Sequence, residues 1–231
     1  WKYPHVQALL RSFATADYIG LIELDRSVFG ARLRTDVIAK VVKYERSWLE
    51  AGTEAVKSLS QMRGSTRKIA PQKGRGKARV GHNRAPQRRG GYRPHTAVPH
   101  DKSTDIQMKV YNSAIRVALS AKFAQGQLTV VDTLAMTEAA KEELRARLRA
   151  LALEGKRVYF VYGSEQPLLR LVEAADMFEK GTPYGEAVPK NEKKLIVTSA
   201  RHISVLPIME NEHLVLDKEA VEVLEEMYRI A

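Results

Sequence analysis

The stretch Ile106-Gln-Met-Lys-Val-Tyr-Asn-Ser-Ala-Ile-Arg-Val-Ala-Leu-Ser-Ala-Lys-Phe-Ala124, continued by Gln125-Gly-Gln-Leu-Thr-Val-Val-Asp132, carries two structural periods back to back. Val110, Ala114, Val117, Ala118 and Ala121 recur at helical spacing, Gly126 provides a stop, and residues 128–132 form the short apolar run of a buried strand. Downstream the same alternation repeats. A helix is predicted over 137–153, a strand over 157–162 and a helix over 167–177. A polar Gly/Pro loop follows at 182–193, then strands near 195–198, 203–206 and 213–216, and Asp217 caps a last helix reaching Arg229. Upstream, residues 18–24 read as a strand and 34–51 as a helix, N-capped by Thr35 or Asp36, whose Val37, Val41, Tyr44 and Trp48 share a core-facing side. Apolar strands alternating with helices predict the α/β class, with a largely parallel sheet flanked by helices on both faces. At 231 residues the chain is expected to be a single α/β domain, 1–231, with an extended loop, 55–101, inserted between two helices.

That insertion departs from everything around it. Residues 55–100 hold 12 of the chain's 38 Lys and Arg and none of its 27 Asp and Glu. The remainder is close to neutral, so one segment accounts for the formal net charge of +11. Charge placed for solubility would be spread over the surface; charge gathered on one arm suits a polyanion. Between Arg63 and Asp101 the aliphatic residues larger than Ala and Pro are Ile69, Val80 and Val98, while six glycines break any period. Such a segment buries too little apolar surface to offset its own ordering entropy, so it is expected to order on its partner.

Several chemistries are excluded or disfavoured. With no cysteine there is no disulfide, thiolate nucleophile or Cys-ligated metal. No apolar run is long enough to span a bilayer, and the first ten residues lack the apolar core of a secretory signal. The first residue is Trp1 rather than Met, which fits either removal of a targeting peptide or a trimmed start. Gly74-Arg-Gly76-Lys-Ala-Arg79 lacks the third glycine of a dinucleotide fingerprint and follows no strand. Gly76-Lys77-Ala78 lacks the Ser or Thr of a phosphate loop. His82, His95 and His100 match no metal-ligand spacing and suit hydrogen bonding or stacking on bases. Asp132 and Asp217 stand at strand ends but read as caps, and Tyr162-Gly-Ser-Glu165 reads as a strand-to-helix turn rather than a ligand site. No catalytic residue, metal site or cofactor is expected.

The arm itself reads as an RNA ligand. Glycines between cations let the backbone approach phosphates and turn sharply. Arginine predominates over lysine, and its planar guanidinium binds phosphate bidentately and stacks on bases. Structured RNA fits better than duplex DNA because no recognition helix accompanies the arm. The candidate contact residues are Arg63, Arg67, Lys68, Gln72, Lys73, Gly74, Arg75, Gly76, Lys77, Arg79, Arg84, Arg88, Arg89, Tyr92 and Arg93.

In order and spacing, Gln72-Lys-Gly-Arg-Gly-Lys-Ala-Arg79, Gly81, Arg84-Ala-Pro86 and Arg89-Gly-Gly91 resemble the loop signature of the large-subunit ribosomal protein four family. Residues 109–122 look like that family's next helix, 126–132 like its next strand, and 214–221 like its final strand and helix. The resemblance runs from about Asp36 to the C-terminus. It implies a Rossmann-like body on the ribosome surface and a loop threading through large-subunit ribosomal RNA, with Gln72, Lys73 and Gly74 near the nascent-peptide exit tunnel. It also implies neighbouring large-subunit proteins as partners. Departures are Ala70 and Arg88, where the family commonly has aromatics, and Tyr92 in place of a third glycine. Pro71, the absent initial Met and the divergent 182–193 loop favour a mitochondrial ribosome, with a bacterial cytoplasmic ribosome as the alternative. Two rival functions are an RNA-modifying enzyme using the arm as a clamp and a messenger-RNA regulator.

Overall fold

The computed structural model describes residues 4–179 and 195–230; the polar loop expected at 182–193 lies outside the described residues. These residues group into two units, one built from the chain up to Arg46 together with that from Asp105 onward, the other from Ser47–Thr104.

The first unit carries strands β1 (His5–Arg11), β2 (Tyr18–Asp25), β3 (Leu128–Val131), β4 (Val158–Tyr162), β5 (Leu195–Ser199) and β6 (His213–Asp217). Its helices are α1 (Arg26–Phe29), α2 (Thr35–Leu49, whose last turn enters the second unit), α3 (Met108–Ala124), α4 (Lys141–Ala150), α5 (Leu169–Glu179), α6 (Val205–Glu210) and α7 (Lys218–Tyr228). The strands form one sheet in the order β2-β1-β3-β6-β4-β5. β1 and β2 are antiparallel, and the other neighbouring pairs are parallel.

Alternation along the central strands divides the core in two. Val130, Tyr159, Val161, Leu214 and Leu216 face one side and pack with Phe29, Val41, Ile115, Leu119, Val221 and Leu224 from α1, α2, α3 and α7. Val131, Val158, Phe160 and Val215 face the other and pack with Leu144, Leu148, Leu171 and Phe178 from α4 and α5. Burial on both faces is why residues 158–161 are an unbroken apolar run.

The stop after α3 has a defined geometry. Gly126 has φ +66°, its N–H reaches Phe123 O at 3.0 Å, and Gln127 N–H reaches Lys122 O at 2.9 Å. These two bonds define a Schellman motif. The same pair of bonds closes α4, from Ala152 to Arg149 O at 3.0 Å and from Leu153 to Leu148 O at 2.8 Å. There the left-handed position is Ala152, at φ +58°.

Four expectations need correction. Residues 203–206 are not a strand, because α6 starts at Val205. The Glu45 carboxylate accepts from Val205 N–H at 3.0 Å and Leu206 N–H at 2.6 Å, a cap supplied from α2 that no local pattern reveals. Pro207, in the first turn of α6, needs no N–H donor. Trp48, expected in the core, is 59% exposed because it lies on the last turn of α2, beyond the sheet-covering residues Val37 and Val41. The strand β1 and the single-turn helix α1 were not anticipated: β1 is half-exposed and its polar and apolar residues do not form a run. Helix α4 spans Lys141–Ala150 rather than 137–153, its end set by Ala152.

Candidate nucleic-acid interface

Beyond Leu49 the second unit has no helix or strand apart from one isolated bridge, Lys68 with His82. Its hydrogen bonds nevertheless give the chain a course. Ser47 Oγ and Thr104 Oγ1 share a bond of 3.0 Å. His100 N–H donates to Gly52 O at 3.2 Å, Val56 N–H to Ala97 O at 3.0 Å, and Ile69 N–H to Gly81 O at 3.1 Å. Each bond joins an outgoing residue to a returning one, and each pair is centred near Gly76. The segment is therefore an out-and-back excursion that reverses around Gly74-Arg75-Gly76. Both glycines have positive φ, +84° and +63°, and a Cβ at either would meet nothing within 4 Å. The requirement there is backbone conformation, not space.

An ion pair ties the excursion at its base. Lys102 Nζ lies 2.9 Å from Glu54 and 3.4 Å from Glu50. The hydrogen bond from Lys102 holds the Glu54 carboxyl below its usual range, and the bond to Glu54 raises the lysine. Asp101 accepts from Ser103 N–H at 2.8 Å. The carboxylates that flank the acid-free stretch are thus engaged, and none of the arm's cations has a carboxylate partner among the described residues. Sequence reading passed over this base. Its signal was the acids at 50 and 54 just before the stretch and Lys102 just after it.

The candidate RNA contacts divide into two groups. Arg63, Arg67, Lys68, Gln72, Lys73, Gly74, Arg75, Gly76, Lys77, Arg79, Arg89 and Arg93 are exposed. Of these, Lys68 and Gln72 are brought together, the Lys68 ammonium donating to the Gln72 carbonyl. Arg84, Arg88 and Tyr92 are half-buried in a knot on the returning limb. Arg88 N–H reaches Ala85 O at 3.0 Å and Tyr92 N–H reaches Arg84 O at 3.0 Å. Arg84 Nη1 crosses to Leu59 O at 2.7 Å, joining the two limbs. Arg84 therefore joins the two limbs, whereas the twelve exposed positions present cations, amide and bare backbone to solvent. Of the segment's larger aliphatics, Val56, Ile69 and Val98 are 40%, 49% and 65% exposed, while Leu59 and Val80 are half-buried.

The arrangement suits polyphosphate. Guanidinium and ammonium groups exposed on two hydrogen-bonded limbs, with no carboxylate partner among the described residues, are chemically able to meet phosphates from more than one side. Not every cation plays this part. Lys122, at the end of α3, is buried and donates to Gln127 Oε1 and Asn211 O, both at 2.8 Å, and burial lowers its pKa.

At the carboxyl ends of β3, β4 and β6 the described residues bond to one another. Gly163 N–H donates to Asp217 Oδ1 at 3.0 Å, and that oxygen also accepts from Ala220 N–H at 2.6 Å. A Cβ on Gly163 would sit 2.2 Å from the Glu219 carbonyl carbon, so the β4–β6 crevice, where α/β sheets usually bind ligands, is closed by backbone. Asp132 similarly accepts from Phe13 N–H at 3.0 Å and Thr133 N–H at 2.8 Å. No group of three or more His, Cys, Asp or Glu able to hold a metal occurs among the described residues. Nor is any described helix long and apolar enough to cross a membrane.

Comparison with known proteins gives a consistent result. A family model described as "Ribosomal protein L4/L1 family" matches residues 22–227. The large ribosomal subunit protein uL4 of Rhodospirillum rubrum is 36% identical over 207 residues, covering 90% of this chain and 92% of its own. Proteins of the same name from Methylorubrum populi and Methylorubrum extorquens are 33% and 32% identical, each over 210 residues and 91% of this chain.

Proposed function

The chain belongs to the ribosomal protein L4/L1 family of non-enzymatic structural proteins of the large ribosomal subunit, and on that premise we propose that its arm binds large-subunit ribosomal RNA. We read residues 55–101 as a loop inserted in a Rossmann-like body. In this reading Arg63, Arg67, Lys73, Arg75, Lys77, Arg79, Arg89 and Arg93 neutralise closely packed phosphates, while Arg84, Arg88 and Tyr92 fix the limbs that present them. The reversal at Gly74-Arg75-Gly76, with Gln72 and Lys73 beside it, is the part that reaches the nascent-peptide exit tunnel. The single observation that carries the reading is that residues 55–100 of the out-and-back segment hold 12 cations and no acid, with no carboxylate partner for those cations among the described residues.

The relatives named above come from bacteria. They favour a bacterial ribosome and lend the mitochondrial expectation no support. Neighbouring large-subunit proteins and, at the loop tip, the nascent peptide are the further partners of this reading. The test is sedimentation of a tagged copy from a bacterial host. The full chain should co-migrate with the large subunit, and a chain lacking residues 63–93 should incorporate poorly or leave unstable particles. Persistent migration of the full chain in the light, free fraction counts against the proposal.

A further inference from the structure

We propose that the outer edge of β2 docks an extended segment of a neighbouring protein, apolar at alternating positions and carrying Lys or Arg opposite Asp17 and Glu23. The inference rests on the reading that the chain sits in a large subunit.

β2 is the terminal strand of the sheet, so one of its edges has no strand partner among the described residues. It is 8 residues long; Leu24 is buried and Ile22 packs against the core, but Tyr18, Ile19 and Leu21 stand in water, 63%, 56% and 64% exposed. Leu9, the cross-strand partner of Leu21, is 51% exposed as well. The cause lies in the coverage of the sheet. α4 and α5 cover Val131, Phe160 and Val215, and no residue of β1 or β2 joins that cluster. Proteins ordinarily protect such an edge with lysine, proline or a covering element, because a long apolar edge templates pairing with another chain. Residues 17–25 contain no Lys, Arg or Pro. Gly20 adds a stretch of bare backbone, since a Cβ there would meet nothing within 4 Å.

The chemistry of the edge selects the occupant. Asp17 and Glu23 are exposed in a chain of net charge +11, and Arg11 is turned onto Tyr18, its Nη2 donating to the hydroxyl at 2.7 Å. An apolar strand flanked by acids repels RNA phosphate. A second copy pairing antiparallel through Leu21 would set Asp17 across from Asp25 and Glu23 across from Ile19, opposing like charges at the ends. An incoming strand with alternating apolar residues and basic positions satisfies both the backbone and the acids. Main-chain bonds then supply affinity and the alternate side chains specificity.

The test is site-specific photocrosslinking in assembled large subunits, with p-benzoylphenylalanine at Tyr18 and, as a control, at the exposed Glu226 on α7. Position 18 should give one protein adduct whose crosslinked peptide is extended and basic, and Glu226 should not give that adduct. Leu21→Lys in the same chain should lower the adduct on the order of tenfold, as expected for losing one buried leucine, and Glu23→Arg should lower it through charge alone. Adducts to RNA or to a second copy overturn the proposal, as does a yield unchanged by both substitutions. Failure to enter the large subunit refutes the ribosomal reading instead, whereas entry without a protein adduct refutes this inference alone.

Discussion

Gly126 and Ala152 occupy the same left-handed position at the ends of α3 and α4, at φ +66° and +58°, with opposite consequences for substitution. Gly126→Ala forces a side chain into a conformation disfavoured by about 1 kcal/mol, and Ala152→Gly relieves a comparable penalty. Urea unfolding of the full chain should therefore show a lower midpoint for the first variant and a higher one for the second. Asp25 supplies a pH-dependent counterpart. Burial by itself raises its carboxyl, but the hydrogen bond from Ser27 N–H at 2.7 Å and the Arg229 guanidinium, 3.0 Å away, outweigh burial and hold it below the ordinary 3.8. In acid the unfolded chain then binds the proton first. The stabilisation is complete above pH 3.8 and is lost as pH falls through the lower folded value. Asp25→Asn should be less stable than the parent at neutral pH, and the difference should shrink below that pH. An equal deficit at pH 7 and in strong acid would mean that Arg229 contributes nothing through charge.

At the scale of elements, the polar knot on Glu45 matters most. Its carboxylate takes the first two N–H groups of α6 and the Tyr111 hydroxyl, the latter at 2.9 Å, so one side chain ties α2, α3 and α6 together. Glu45→Ala leaves two helix donors and a half-buried hydroxyl without acceptors, a cost of about 2–3 kcal/mol. Tyr111→Phe removes one donor and should cost about 1 kcal/mol. Denaturant midpoints of the two variants check both values. The knot also explains what sequence reading could and could not reach. α3, β3, β4, β6 and α7 were legible because their signals are local: helical spacing, the Gly126 stop, apolar runs and the Asp217 cap. α6 was misread as a strand because its cap comes from 160 residues away. The antiparallel β1 was missed because half its residues face water at the sheet margin. In the arm, charge and glycine content pointed to a polyanion ligand, which remains a proposal, but gave no sign of the limb pairing, the Arg84 to Leu59 bridge or the Lys102 tie, all of which are contacts across the excursion.

For the whole molecule, charge and packing divide by segment. The sheet unit has two apolar cores and a ligand crevice closed by backbone, while residues 55–100 have cations without acids and leave Val56, Ile69 and Val98 in water. Affinity for RNA is thus expected to be largely electrostatic, with each phosphate neutralised adding about 0.7–0.9 to the dependence of log affinity on log salt. The most direct measurement is the binding of the isolated cognate ribosomal RNA segment across a salt series, comparing the full chain with one lacking residues 63–93. The account predicts a steep loss of affinity with salt for the full chain, and a weaker, much flatter dependence once the arm is removed. Equal affinity and equal slope in the two proteins would contradict it.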